Sequence, residues 1–255
     1  MKTLAVIVTR PSAQADTLVT ALQQLGLEVR RRPLMDIVPL ADDARAASSG
    51  LRQHFLDIDQ YRAVIAISVN AATCGLEWLD RYWPQLPVGI SWYAVGPSTA
   101  DVLRAEHLPV QMPEERFDSE GVLALPGLQP EAIRGEKVLI WRGVGGRETL
   151  ASVLRERGAE VDYAELYERQ QVSSTSAEWQ TLLADRPLLL LSSSQALDIA
   201  LAQVPDLPRR VSGVMLPAQR SADMARRYGF SEVLVAASAR DEDMLLCLQQ
   251  WLRQR

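Results

Sequence analysis

Histidine and cysteine are scarce here: His54 and His107 are the only imidazoles, and Cys74 and Cys247 the only thiols, among 255 residues. The cysteines are far apart and show no C-x-x-C or Cys/His spacing, so neither a disulfide framework nor a zinc site is indicated. Both read as small buried hydrophobes. No G-x-S-x-G pattern or neighbouring histidine accompanies the serine-rich stretches, which argues against a serine nucleophile. Long apolar runs are missing too. The four leucines Leu188–Leu191 fall far short of the roughly 20 residues that span a bilayer. The opening segment reaches Arg10 too soon for a secretory signal, so a cytoplasmic location is expected. Basic charge is not in excess: 27 Lys and Arg against 32 Asp and Glu leave a net charge of -5, without the broad basic stripe of a nucleic-acid surface. Any polyanionic ligand must be held by local donors.

The composition is otherwise that of an ordinary globular chain, 47% hydrophobic and 23% charged. Its most informative feature is that it is written twice. At an offset of 132, Arg10/Arg142, Thr17/Thr149, Leu18/Leu150, Leu22/Leu154, Gly26/Gly158, Glu28/Glu160, Val29/Val161 and Leu34/Leu166 coincide. Near 124, Ser68-Val69-Asn70 falls on Ser192-Ser193-Ser194, with Arg62/Arg186 and Ala72/Ala196; near 122, Thr99-Ala100 falls on Ser221-Ala222. A period this long implies paired domains rather than a solenoid.

Each copy reads as aliphatic strands running into short polar junctions and then helices. The strands are Leu4–Thr9, Ala63–Ile67 and Trp92–Val95 in the first copy, and Lys137–Trp141, Leu188–Leu191 and Val214–Leu216 in the second. Continuous aliphatic strands alternating with amphipathic helices predict parallel sheets covered on both faces, an α/β fold. In such sheets ligands bind at the loops leaving the strand carboxyl ends. The six junctions, at Arg10, Ser68, Thr99, Arg142, Ser192 and Ser221, would surround one ligand if two domains faced each other across a cleft. The stretches 86–88, 113–130 and 172–176 read as connections.

The junction Arg142-Gly143-Val144-Gly145-Gly146-Arg147 has two guanidiniums and three glycines, suited to bringing donors up to a carboxylate or phosphate. It matches neither G-x-G-x-x-G nor a Walker loop. A turn cross-linked by its own arginines is the plainer alternative. Arg10, before Pro11, could equally hold its turn. Ser68 and the Ser192–Ser194 run sit at expected helix N-termini; capping accounts for one serine in each, and the run of three exceeds that need. Tyr167 stands where the first copy has Met35, and a phenol can donate a proton where a thioether cannot; a half-buried strand aromatic is the alternative. Arg30-Arg31-Arg32, Arg209-Arg210 and Arg226-Arg227 read as solvated or strand-edge charges. Glu114-Glu115 and Asp241-Glu242-Asp243 read as solvated surface.

Taken in order, Thr9-Arg10-Pro11, Ser68-Val69-Asn70-Ala71, Ala94-Val95-Gly96-Pro97-Ser98-Thr99-Ala100, Ser119-Glu120-Gly121, Arg142-Gly143 with Gly146-Arg147, Tyr167-Glu168-Arg169 and Ser192-Ser193-Ser194 resemble the uroporphyrinogen-III synthase family of tetrapyrrole biosynthesis. The resemblance covers essentially the whole chain. It implies two similar flavodoxin-like parallel-sheet domains joined by a two-stranded linker, with the ligand cleft between them. One domain is then 1–34 plus 172–255 and the other 40–163, with 35–39 and 164–171 as paired linkers. The chain departs from the family at Ala218-Gln219-Arg220-Ser221-Ala222, which keeps a hydroxyl but lacks the expected glycine.

The activity implied is closure of hydroxymethylbilane, an octacarboxylate linear tetrapyrrole, to uroporphyrinogen III, with loss of water and inversion of ring D. No metal or redox cofactor is called for. Tyr167 is the candidate general acid. Arg10, Ser68, Asn70, Ala71, Gly96, Ser98, Thr99, Arg142, Gly146, Arg147, Ser192, Ser193, Ser194 and Ser221 are the candidate substrate-binding residues. A monomer is expected that takes hydroxymethylbilane, binds neither nucleic acid nor membrane, and has room for a transient contact with the preceding or following pathway enzyme. Two other readings stay open: a two-domain binding protein without catalysis, and a nucleotide-sugar transferase.

Overall fold

Short central strands buried along their whole length alternate with helices that are apolar on one face, and two predominantly parallel sheets result. The computed structural model describes residues 4–43 and 49–254. Its strands are β1 (Ala5–Val8), β2 (Glu28–Arg31), β3 (Met35–Pro39), β4 (Ala63–Ala66), β5 (Ser91–Ala94), β6 (Val110–Gln111), β7 (Lys137–Gly143), β8 (Glu160–Gln171), β9 (Leu188–Leu190), β10 (Gly213–Pro217) and β11 (Val233–Ala236). The chain divides into two compact units, Met1–Asp36 with Gln170–Arg255, and Ile37–Arg169.

In the first unit the sheet order is β11-β10-β9-β1-β2, with β1–β2, β1–β9, β9–β10 and β10–β11 all parallel. Strand side chains alternate between faces. Ile7, Leu189, Val214 and Leu216 enter one core with Trp179, Leu197 and Ala225. Val6, Val8, Leu188, Leu190 and Met215 enter the other, with Leu18 and Leu22 of the helix Asp16–Gln24 and Met244 and Leu248 of the helix Asp241–Leu252. Burial on both faces is why these strands carry no polar alternation.

The second unit's sheet runs β3-β8-β7-β4-β5-β6, and the pairs β4–β5, β4–β7, β5–β6 and β7–β8 are parallel. Val64, Ala66, Trp92, Leu139 and Trp141 pack with Phe55, Trp78 and Leu103, while Ala63, Ile65, Tyr93, Val138 and Ile140 pack on the opposite face with Leu128, Leu150 and Leu154. The helix Val69–Tyr82 lies close against β7 because Gly75 has no side chain; a Cβ there would come within 2.1 Å of the Trp141 ring.

Strand register measures the internal repeat. Ala5 pairs with Glu28 in one sheet and Lys137 with Glu160 in the other, an offset of 132 on both strands. Gly213 and Ser91 hold equivalent places beside Leu188 and Ala63, an offset of 122. The third offset is corrected by one residue. Val6 faces Leu188 and Val138 faces Ala63, so Ala63 corresponds to Leu188, at 125 rather than 124. Ser68 therefore matches Ser193, and the caps agree: Ser68 Oγ accepts from the Ala71 amide and Ser193 Oγ from the Ala196 amide, each at 3.1 Å.

Other expectations change as well. Residues 113–130 are not a plain connection, for they contain the helix Ser119–Leu123, capped by Asp118, and a 3-10 turn at Pro126–Leu128. Cys74 is buried, but Cys247 is only partly so. Arg30, Arg31 and Arg32 lie on and just past the edge strand β2, as their charge suggested, paired with Asp185, Asp16 and Glu178. Asp241 and Asp243 are not simply solvated: Asp241 pairs with Arg10, and Asp243 accepts from Ser238 and Arg240.

Candidate functional site

The second unit has a cavity of about 580 Å³ at the carboxyl ends of β4, β5 and β7. Ile67 and Val95 line it just past β4 and β5, and Ile140 and Arg142 to Arg147 line it along β7 and its exit loop. Tyr163, Tyr167 and Arg169 enter from β8, and Arg116, Asp118, Ser119 and Glu120 from the segment after β6. This is where parallel α/β sheets place ligands, because helix N-termini and unpaired amides gather at the strand ends.

Arg142 does not reach into this cavity as a free donor. It is only 2% exposed. Its Nη1 donates to Glu148 Oε1 at 3.1 Å, its Nε to the Gly143 carbonyl at 3.3 Å, and its Nη2 to the Gly145 carbonyl. The guanidinium carbon lies 4.4 Å from the Tyr163 ring centroid. A buried cation is tolerable only when so partnered. The alternative raised by the sequence, a turn cross-linked by its own arginine, describes Arg142; it does not describe Arg147. Arg147 is exposed on the same loop and lines the cavity, and among the described residues it has no hydrogen-bond or ion-pair partner. Gly146, at φ 113°, is required where the loop passes Arg142, for a Cβ would lie 2.8 Å from Nη2.

Tyr167 arrives through a β-bulge. Arg142 pairs with Glu165 and the next residue, Gly143, with Tyr167, so Leu166 is the extra residue on β8. Regular alternation would put Tyr167 on the face of Tyr163. The bulge instead returns it to the core of Trp141, Ala164 and Leu166. Its ring passes Gly143 so closely that a Cβ there would meet it at 2.6 Å. The hydroxyl lies 3.1 Å from Ser68 Oγ. Tyr167 is 2% exposed, more buried than a half-buried strand aromatic.

The other candidates of this unit gather at the same strand ends. Ala71 is buried in the first turn after the Ser68 cap, and Asn70 is half-buried beside it. Gly96 caps the helix Pro97–Ala105 in extended conformation, Ser98 is exposed and Thr99 buried. None of these five lines the cavity directly.

Arg10, Ser192, Ser193, Ser194 and Ser221 belong to the first unit. Arg10 is drawn to Asp241 and to the Ala239 carbonyl, as a residue that holds its turn. Ser193 is the helix cap, leaving Ser192 and Ser194 half-buried beside it. Ser221 is buried in the helix Gln219–Arg227. Just before that helix, Ala218 has φ 73° and ψ 139°, backbone that favours glycine. The departure from the family pattern thus falls on the residue whose backbone needs the missing glycine.

Several lining residues were not among the site candidates named from the sequence. Glu148, holding Arg142, also accepts from the Tyr163 hydroxyl, and that hydrogen bond leads the influences that keep its carboxyl below the ordinary range. Burial pushes the Tyr163 phenol up. Arg116 is held by Asp118 and Glu120. Arg169 is exposed and, among the described residues, unpartnered. Tyr163 gave no local signal, because its relation to Tyr167 depends on the bulge. Among the described residues no three His, Cys, Asp or Glu side chains gather as a metal site, and no helix is long and apolar enough to cross a membrane.

A family model described as uroporphyrinogen-III synthase HemD matches residues 16–245. The chain is 31% identical over 261 residues to the uroporphyrinogen-III synthase of Escherichia coli (strain K12), covering 96% of this chain and 100% of the relative. It is 30% identical over 255 residues to that of Salmonella typhimurium, with the same coverage of 96% and 100%. Among solved structures, a mutant uroporphyrinogen III synthase from Thermus thermophilus aligns with a TM-score of 0.60 at 12% identity, covering 99% of this chain and 100% of the other. The uroporphyrinogen-III synthetase of Helicobacter pylori 26695 aligns with a TM-score of 0.60 at 16% identity over 100% of both chains. At such identities the structural likeness speaks for the fold.

Proposed function

The chain belongs to the uroporphyrinogen-III synthase family, and from that premise we propose that it closes hydroxymethylbilane to uroporphyrinogen III, with loss of water and inversion of ring D, at the cavity beside Tyr167. The observation that carries this reading is the company of three groups around one cavity: the Tyr167 hydroxyl against Ser68 and the guanidiniums of Arg147 and Arg169, both unpartnered among the described residues. Arg147 and Arg169 suit the carboxylates of the substrate, because a fork of N–H donors matches a carboxylate and the pair leaves an acidic protein acidic. Tyr167 suits assistance to the departing hydroxyl, for a phenol donates a proton or hydrogen bond where charge develops.

Of the remaining candidates, Ser68, Asn70, Ala71, Gly96, Ser98 and Thr99 suit binding by amides and hydroxyls at helix starts. The same holds for Ser192, Ser193, Ser194 and Ser221 in the first unit. Arg10 is already paired with Asp241 and Arg142 with Glu148, so each is less available to substrate than Arg147 or Arg169. The sheet order β2-β1-β9-β10-β11 and its counterpart β8-β7-β4-β5-β6 support a flavodoxin-like reading of each unit. The unit boundaries at Asp36/Ile37 and Arg169/Gln170 fall within residues 35–39 and 164–171 and favour these stretches as linkers, with 164–167 still paired in the second unit's sheet.

Turnover of hydroxymethylbilane, with the oxidised products separated chromatographically into types I and III, tests the reading. Type III is expected well above the uncatalysed background. A product that is all type I at high protein concentration would overturn it.

A further inference from the structure

We propose that Glu148 and Tyr163 are positioning residues for this reaction: they lock the Arg142 guanidinium beneath the loop 143–147 and so set where that loop presents Arg147 to the cavity. The proposal rests on the reading above and assigns to that site two residues that do the holding rather than the binding. Three groups close a triangle. Glu148 takes Arg142 on Oε1 and the Tyr163 hydroxyl on Oε2, and the Tyr163 ring lies against the guanidinium it helps to pair. Each member touches the other two, so removal of one loosens both survivors.

The triangle acts on the loop through Arg142. The guanidinium holds the carbonyls of Gly143 and Gly145, which fixes the Gly143–Val144 and Gly145–Gly146 peptide planes. Glu165 takes the Gly145 amide at 3.2 Å, and Tyr167 takes the Val144 amide through its carbonyl at 2.8 Å. With Gly145 and Gly146 both at positive φ, this segment has wide conformational freedom of its own. These tethers restrict it, and the next residue is Arg147.

The arrangement is not explained by stability alone. Glu148 occupies the N-cap position of the helix Thr149–Glu156, yet its side chain makes no capping hydrogen bond and turns to Arg142 and Tyr163 instead. The Glu148 side chain is 63% exposed while Arg142 is buried, so the carboxylate reaches in from the surface to keep that cation partnered beneath the loop.

Tyr163→Phe removes the hydroxyl and keeps the ring; Glu148→Gln removes the charge and keeps the shape. In each variant, amide hydrogen exchange in residues 143–147 is expected to speed up by about tenfold; the unfolding midpoint should stay nearly unchanged in Tyr163→Phe and fall in Glu148→Gln, which leaves the buried Arg142 without its counter-charge. KM for hydroxymethylbilane should rise about threefold to tenfold while kcat changes by less than about twofold, as for lost preorganised binding. The double variant should be no worse than the worse single one, since both break one triangle. Unchanged exchange and KM, effects that multiply as though independent, or a fall in kcat that tracks a lowered unfolding midpoint would each overturn the proposal. A wild-type protein that leaves hydroxymethylbilane unconverted counts against the function reading alone, because the exchange measurement needs no substrate and still decides this one.

Discussion

The Tyr167 hydroxyl lies 3.1 Å from Ser68 Oγ, and the same oxygen of Ser68 caps the helix Val69–Tyr82 through the Ala71 amide. One hydroxyl thus ties the candidate acid to a helix start. Tyr167→Phe is expected to slow turnover more than it weakens binding, at or below the low end of the roughly 100- to 10,000-fold typical of general acid assistance. Ser68→Ala should also lose the cap, destabilising the protein by about 0.5–2 kcal/mol. Steady-state kinetics and urea unfolding on both variants separate the effects. An unchanged kcat in Tyr167→Phe would return the residue to a packing role.

Removing Arg147 should weaken the hold on substrate and let it cyclise in solution. A hydrogen bond to a charged group is worth about 1.5–3 kcal/mol when desolvated, so the exposed Arg147 should give the lower part of that range in Arg147→Ala. The type I share should rise at low enzyme and fall as enzyme concentration increases. A type I fraction that stays fixed at saturating enzyme would mean that Arg147 governs isomer choice inside the site rather than anchoring a carboxylate.

Ala218→Gly should stabilise the fold. A non-glycine residue in unfavourable positive-φ backbone costs on the order of 1–3 kcal/mol, and the added freedom of glycine in the unfolded chain returns about 0.4–1 kcal/mol of that. A net gain of about 1 kcal/mol is expected from these two terms, read as a higher urea midpoint. A lower midpoint would show that Ala218 is not strained.

Gly75→Ala should be severe. The new methyl would meet the Trp141 ring at 2.1 Å, and the ring is wholly buried between the helix and β7. Overpacking of this kind costs about 1–3 kcal/mol, occasionally more, and the upper end is expected here. Thermal unfolding measures it, and a midpoint within experimental error of wild type would refute the close packing.

Stability should depend on pH through His54. Burial lowers its pKa from 6.5, outweighing Asp162 and Asp57, while Lys137 acts with burial; its Nδ1 meets the Tyr61 hydroxyl, which donates to Asp162. The unfolded chain therefore binds this proton at a higher pH than the folded one. Below about pH 6.5 the stability contributed by neutral His54 is lost as pH falls toward its folded pKa, and above that it is fully present. Urea midpoints across this range should be steeper in pH for wild type than for His54→Gln. Equal slopes would remove His54 from the account.

Periodicity and junction chemistry are local properties, and they sufficed for the alternation of strands and helices, the parallel sheets and the doubled plan. They also singled out Arg147 and Tyr167, which the fold sets beside one cavity. What they could not carry was the partner each side chain meets. Arg142 and Arg147 look alike on one loop, but Glu148 and Tyr163 bury the first and leave the second open. Leu166 as a bulge residue reverses the face of Tyr167, an event that depends on β7 alongside and not on the pattern of β8. Sheet register set the serine equivalence at Ser193, because hydrogen bonding across strands counts residues more strictly than resemblance does. Element order follows from short-range spacing along the chain; the fate of each charge and hydroxyl is decided by groups that only folding brings within reach.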